Sequence, residues 1–350
     1  MIFIKHIAIA ISSTLLLATA HAQPVTSLSD GRAGGGGRIE FQSTTPADRY
    51  ALLRNNTARI SQQVVWGELV MPNAKNMAAP KIPAVVISHG SEGIASPGHD
   101  TYTDLWTKSL NDAGIAVFMV DSFTPRRLGN MSGAAMGGAN VTANISDALH
   151  ALKLLASHPQ IDASKIFHIG MSMGGNAAID AAMPALGQHI LPAGLRWAGS
   201  VAMYPGCNMR WRTDHLGASS PILMLLGERD DNTPAAPCVD YAATLAKDGN
   251  PVSAKVYAGA GHDFDRRETS PRSISHGIFD RCDIEVKIAA QSGMGTAVDQ
   301  KTNKTINGFE DLSAAIRSCY RMAAVTIAGH RAAREQSVRD VMAFIAANSK

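Results

Sequence analysis

The sequence predicts an α/β fold built on a mostly parallel β-sheet with helices on both faces. Three observations carry that expectation. Apolar runs rich in β-branched residues recur from Val64 onward, as strands buried on both faces require. Segments of helical period lie between them, the alternation produced by parallel strands joined through crossover helices. Two glycine-rich stretches, Ser91–Gly98 and Leu128–Ala139, come after strand-like runs, at the sheet edge where open α/β folds bind ligands.

At the N-terminus, Lys5 precedes an apolar stretch from Ile7 to Ala20, and Ala20-His21-Ala22 closes it with small residues. This is the layout of a cleaved signal peptide over residues 1–22. Ser12, Ser13 and Thr14 interrupt the stretch and argue against a retained membrane anchor. Residues 23–63 read as a flexible leader and N-terminal segment. Their run Gly34–Gly37 lacks the preceding strand and following helix that a phosphate-cradling loop needs.

The main domain is expected over residues 64–350. Its strands are read at Val64–Val70, Ala84–Ser88, Ile115–Asp121, Lys165–Gly170, Ala198–Tyr204, Ile222–Gly227 and Val252–Tyr257. Helical spacing falls near Tyr102–Ala113, Val141–Ser157, Asn176–Met183, Ala235–Lys247 and, last, Arg331–Ala347. An insertion at about 266–325 separates the last strand from the last helix. Within it, Asp283–Ala289 alternates like a hairpin strand and Phe309–Ser318 has helical spacing. Such an insert either covers the mouth of a site or stands remote from it.

Composition narrows the function classes. A formal net charge of +3 without basic clusters argues against a nucleic-acid partner. Beyond the N-terminus no run approaches the roughly 18 apolar residues of a membrane span. Four cysteines in an exported chain favour disulfides. No C-x₂₋₄-C pair offers metal-ligand spacing, so no metal or other cofactor is expected.

The chemistry is concentrated in Gly170-Met171-Ser172-Met173-Gly174-Gly175, which follows one predicted strand and opens a helix. A sharp strand-to-helix turn crowds the backbone, so its flanks must be small, and it lifts the Ser172 hydroxyl clear of the sheet. A nucleophilic serine needs a base and an orienting acid. His262 in Gly261-His262-Asp263 and the pair Asp230-Asp231 each lie just past a predicted strand, on the edge that carries Ser172. His215 and His276 are rivals that follow no predicted strand directly. Residue chemistry alone leaves Asp230 and Asp231 both open.

The segments Ser88–Ser91, Asp121–Arg126, Gly170–Gly175, Gly227–Pro234 and Gly259–Phe264 resemble the dienelactone hydrolase family of α/β-hydrolases. The resemblance implies the α/β-hydrolase fold and, through G-x-x-D-x-x-x-P, selects Asp230 as the acid. It also implies an oxyanion hole formed by the backbone N–H groups of Ser91 and Met173. Arg126 stands where the family often places a substrate-facing arginine, and a salt-bridged loop brace is the equal alternative. Two positions depart from the name-giving enzymes, which use a cysteine where this chain has Ser172 and a glutamate where it has Gly90. His89 is read as structural.

On this fold Cys207 and Cys238 fall in neighbouring strand-to-helix connections, and Cys282 and Cys319 bracket the insertion. The expected bridges are therefore Cys207–Cys238 and Cys282–Cys319. Together these readings predict an exported serine hydrolase that cleaves a small-molecule ester or lactone, with no nucleic-acid partner and no membrane anchor. A peptidase or amidase on the same fold and a noncatalytic binding protein are the competing expectations.

Overall fold

The computed structural model describes residues 24–28, 36–73, 75, 81–94, 101–129, 138–214, 220–289 and 294–349. The signal-peptide segment, Gly34 and Gly35 of the glycine run, much of both glycine-rich stretches and His215 lie outside them.

In chain order the strands are β1 (Gly37–Pro46), β2 (Ile60–Val70), β3 (Ile82–Ser88), β4 (Ala116–Asp121), β5 (Ile161–Met171), β6 (Gly199–Met203) and β7 (Met209–Asp214). They continue with β8 (Ile222–Gly227), β9 (Val252–Tyr257), β10 (Arg272–Ile278), β11 (Ile284–Ala289), β12 (Met294–Asp299), β13 (Lys304–Ile306) and β14 (Arg321–Ile327). The helices are α1 (Arg49–Leu53), α2 (Lys108–Asp112), α3 (Gly138–Leu155), α4 (Met173–Ala181), α5 (Pro184–Gly187), α6 (Ala235–Lys247), α7 (Gly308–Cys319) and α8 (Arg331–Ala347).

The central sheet has eight strands in the order β1-β2-β4-β3-β5-β6-β8-β9. Its pairs are parallel from β4 to β9 and antiparallel at β1–β2 and β2–β4. Side chains of a strand alternate between faces, and both faces here are covered. Val85 and Ile87 pack with Trp106, Leu110, Val341 and Ile345 on the α2 and α8 side. Ala84 and Val86 pack with Ala148, Leu152 and Leu155 of α3 on the other. Burying each such aliphatic side chain contributes roughly 1.5–3 kcal/mol, which is why these strands read as unbroken apolar runs.

The folded region starts well before Val64, so much of the segment 23–63, expected as a flexible leader and N-terminal segment, belongs to the sheet. β1 pairs along its whole length with β2, from Gly37 against Leu69 to Pro46 against Ile60. Ile39, Phe41 and Ser43 face inward from β1. Still earlier, Val25 bridges to Phe41, and buried Leu28 donates its N–H to Ser157 Oγ at 2.8 Å.

The inserted region forms two small sheets. β10 and β14 make an antiparallel ribbon. β11 forms a hairpin pair with β12 and also pairs in parallel with β7. The insertion thus shares a sheet with Met209–Asp214, a segment that its sequence MRWRTD does not mark as a strand. Cys207–Cys238 and Cys282–Cys319 are both disulfide-bonded. No helix among the described residues is long and apolar enough to cross a membrane.

Candidate active site

Ser172 sits between β5 and α4 with φ 53° and ψ −115°, a backbone conformation that is strained for a residue with a Cβ. The surrounding glycines make it possible. A Cβ on Gly170 would lie 1.9 Å from Gly174 O, one on Gly174 2.2 Å from Ser88 O, and one on Gly175 2.8 Å from Met203 O. All three obstacles are backbone, so no side-chain rotation relieves them. Ser172 N–H donates to Met203 O at 2.9 Å, and Ser172 O accepts from Asn176 N–H at 3.1 Å. The turn is therefore held from both sides.

His262 Nε2 lies 3.1 Å from Ser172 Oγ, and His262 Nδ1 lies 2.8 Å from Asp230 Oδ2. An acceptor carboxylate at Nδ1 places the ring proton there and leaves Nε2 free to accept from the serine. The other oxygen of Asp230 accepts the N–H groups of Asn232 at 2.9 Å and Thr233 at 2.7 Å. The Thr233 hydroxyl stands 2.9 Å from Asp230 Oδ2 and 3.0 Å from His262 Nδ1. Gly227 lets the acid loop and the histidine loop touch, since a Cβ there would meet the carbonyls of Ala260 and Gly261 at 2.7 Å.

Of the two neighbouring carboxylates, Asp230 faces the imidazole. Asp231 turns outward and accepts Thr326 N–H of β14 at 2.9 Å. Burial by itself would lower the His262 pKa, but the charge and hydrogen bond of Asp230 outweigh it and push the imidazole up to about 9.

Tyr204 and Asp265 stand behind the imidazole. Tyr204, with φ 38°, packs edge-on against His262 at 4.7 Å between ring centres. Its hydroxyl donates to Asp265 Oδ1 at 2.8 Å, and Asp265 Oδ2 accepts from Trp106 Nε1 at 2.7 Å. Burial raises the Asp265 pKa against the opposing pull of Trp106. Neither Tyr204 nor Asp265 stands out in the sequence. Their one signal is position, at the end of a strand and three residues after His262.

Ser172 and His262 open into a cleft that Gly90 and Ser91 also line. Gly90 lies against the nucleophile, for a Cβ on it would come 3.4 Å from Ser172 Cβ. Met173 is the first residue of α4, where backbone N–H groups have no intrahelical partner. His89 braces the turn: its Nδ1–H donates to Gly90 O at 2.7 Å and its Nε2 accepts Ser122 N–H at 3.1 Å. Ile274 and His276 of β10 and Ile327 of β14 form part of the cleft wall, so this ribbon is not remote from the site.

Arg126 does not reach the cleft, which corrects the substrate-facing expectation. Its guanidinium grips Asp147 through Nη1 at 2.7 Å and Nη2 at 2.8 Å. The remaining donors go to Thr45 Oγ1, Ser122 O and Thr44 O. A guanidinium has five N–H groups, and all five are used. The pair is buried, with side chains 6% and 0% exposed. The site's own arginine is Arg266, which lines the cleft and donates to Asp263 Oδ2 at 3.0 Å.

A family model for the dienelactone hydrolase family matches residues 70–296. Among solved structures, native esterase Est2 of the Planctomycetes species Thermogutta terrifontis is 16% identical, with a TM-score of 0.44, covering 58% of this chain and 79% of that one. Esterase Est22 is 15% identical with a TM-score of 0.45, covering 67% and 75%. No curated protein matches the chain.

Proposed function

Since the chain belongs to the dienelactone hydrolase family and is a serine hydrolase of the α/β-hydrolase fold, we propose that it cleaves a small-molecule carboxylic ester or lactone through an acyl-enzyme on Ser172. The hydrogen-bonded line Ser172–His262–Asp230 supports this reading above all else. Ser172 Oγ attacks the carbonyl carbon while its proton passes to His262 Nε2. Asp230 holds the imidazole and stabilises the imidazolium that results.

The carbonyl oxygen becomes an oxyanion that the N–H groups of Ser91 and Met173 stabilise, each donor worth about 10²–10³ in rate. The positive end of α4 adds to that stabilisation. The C–O bond to the leaving group then breaks, and His262 returns the proton to the departing oxygen. Water repeats the sequence in reverse, with His262 as base, and releases the acid. Export, with cleavage after Ala22, belongs to the same proposal, and two disulfides at Cys207–Cys238 and Cys282–Cys319 favour an oxidising compartment.

The test is steady-state hydrolysis of a short-chain ester, a lactone and a peptide anilide by purified protein and by Ser172→Ala. Ester or lactone turnover that falls roughly 10⁴–10⁶-fold in the variant is expected. Turnover that survives the substitution overturns the mechanism, and preference for the anilide makes the protein a peptidase.

A further inference from the structure

The ribbon of the insertion meets the turn after β3 through a buried polar side chain, His276 of β10. His276 is 6% exposed and lines the same cleft as Ser172. Its Nδ1 stands 2.9 Å from Gly277 O. A carbonyl can only accept, so Nδ1 carries the proton and the neutral ring presents the Nε2 lone pair. That lone pair faces Ser91 Oγ at 3.2 Å, and the Ser91 hydroxyl donates to it. Burial lowers the His276 pKa and the nearby His262 lowers it further, which keeps the ring in this acceptor form.

The ribbon that carries His276 is fastened where such a contact needs it. His276 pairs with Ala323 in β14. The Cys282–Cys319 bridge joins the chain just after β10 to the chain just before β14. Arg321 and Asp280 form an ion pair in the same region, with Nη2 to Oδ2 at 2.6 Å. At the other end, Asp231 of the acid loop accepts Thr326 N–H, and Ile327 bridges to His262. The ribbon is thus tied to the loops of both the acid and the base, and His276 adds a tie to the turn after β3.

We propose that His276 is a positioning residue: by accepting the Ser91 hydroxyl it fixes the Ser91 backbone N–H at the oxyanion, so that the insertion completes the active site. This rests on the serine-hydrolase reading above. Oxyanion donors act only within about 2.7–3.1 Å of the developing charge. His89 and Asn144 brace the turn at His89 and Gly90, and His276 supplies an anchor on the Ser91 side chain itself.

The experiment compares wild type, His276→Ala, His276→Gln, Ser91→Ala and the His276→Ala/Ser91→Ala double variant on one neutral short-chain ester, with melting temperatures alongside. A misplaced donor costs transition-state stabilisation rather than substrate binding, so His276→Ala should lower kcat by about 10–100-fold with KM within about twofold. His276→Gln, whose Oε1 can accept in place of Nε2, should recover most of the loss. Ser91→Ala should match His276→Ala, and the double variant should be no worse than either, because both remove one contact. Wild-type kcat in His276→Ala, equal impairment in His276→Gln, or multiplying losses in the double variant would each overturn the proposal. If His276→Ala does not fold, Ser91→Ala and His276→Gln decide. Failure of the underlying reading looks different: wild type would not turn over the ester, or Ser172→Ala would.

Discussion

Replacing Arg126 with methionine removes all five donors of a buried guanidinium and leaves Asp147 without its counter-charge. Asp147 is fully buried and would retain only neutral donors such as the Ser43 hydroxyl, at 2.5 Å. Breaking a buried ion pair by deleting one partner costs about 3–5 kcal/mol, because the remaining charge is uncompensated. With a urea m-value of about 3 kcal/mol/M, the unfolding midpoint should fall by about 1–2 M. Arg126→Met/Asp147→Leu should recover most of that loss, since an apolar pair carries no stranded charge. Hydrolysis of acidic and neutral esters should drop by the same factor, as the arginine is not among the residues that line the cleft and all its donors are committed to Asp147, Thr44, Thr45 and Ser122. An Arg126→Met protein with a wild-type midpoint and a selective defect on acidic esters would refute the brace and restore a substrate role.

Other consequences can be checked alongside. Only neutral His262 can take the Ser172 proton, and Asp230 pushes its pKa up to about 9. The acid limb of kcat/KM should therefore lie above 6.5, with activity still rising through pH 7. A limb below pH 6 would contradict this. The same raised pKa means that His262 stabilises the fold fully below pH 6.5 and progressively less as pH climbs toward 9. Gly174→Ala would force a Cβ to 2.2 Å from Ser88 O, costing about 1–3 kcal/mol. Because Ser88 leads into the Gly90-Ser91 turn, kcat should fall as well, while Gly129→Ala, with nothing within 4 Å of its Cβ, should change neither. Nonreducing peptide mapping should recover Cys282–Cys319, and Cys282→Ser/Cys319→Ser, which opens a 37-residue separation, should lower stability by about 2–4 kcal/mol.

The readability of this chain followed burial. Central strands such as Ala84–Ser88 and Ile222–Gly227 are covered on both faces, so their sequences are continuous apolar runs that admit few other readings. β1 lies at the sheet edge and alternates Ile39 and Phe41 with Arg38, Glu40 and Gln42. Half its side chains face outward, and its antiparallel partner is set by register rather than by composition. β7 carries two arginines, each committed to an ion pair with a residue far along the chain, and nothing local announces that.

The site divides along the same line. Ser172 and His262 were marked by glycine-flanked turns beyond strand ends, because those turns have steric requirements that a sequence must display. Residue chemistry alone does not separate Asp230 from Asp231; the G-x-x-D-x-x-x-P spacing of the resemblance selects Asp230, and the folded loop turns that carboxylate to His262 and Asp231 outward. Arg126 shows the limit most clearly. Its place near the sheet edge was legible, but its direction depends on Asp147, which reaches it from α3. His276 was visible only as a rival base, since its meeting with Ser91 spans 185 residues.

The most direct test of the central claim is the mass of the protein after exposure to a fluorophosphonate probe, with the adduct located by peptide sequencing. One adduct per chain on Ser172, none on Ser172→Ala, and loss of ester turnover in step with labelling is the result predicted. An unlabelled protein, or labelling at another residue while Ser172 stays free, would contradict it.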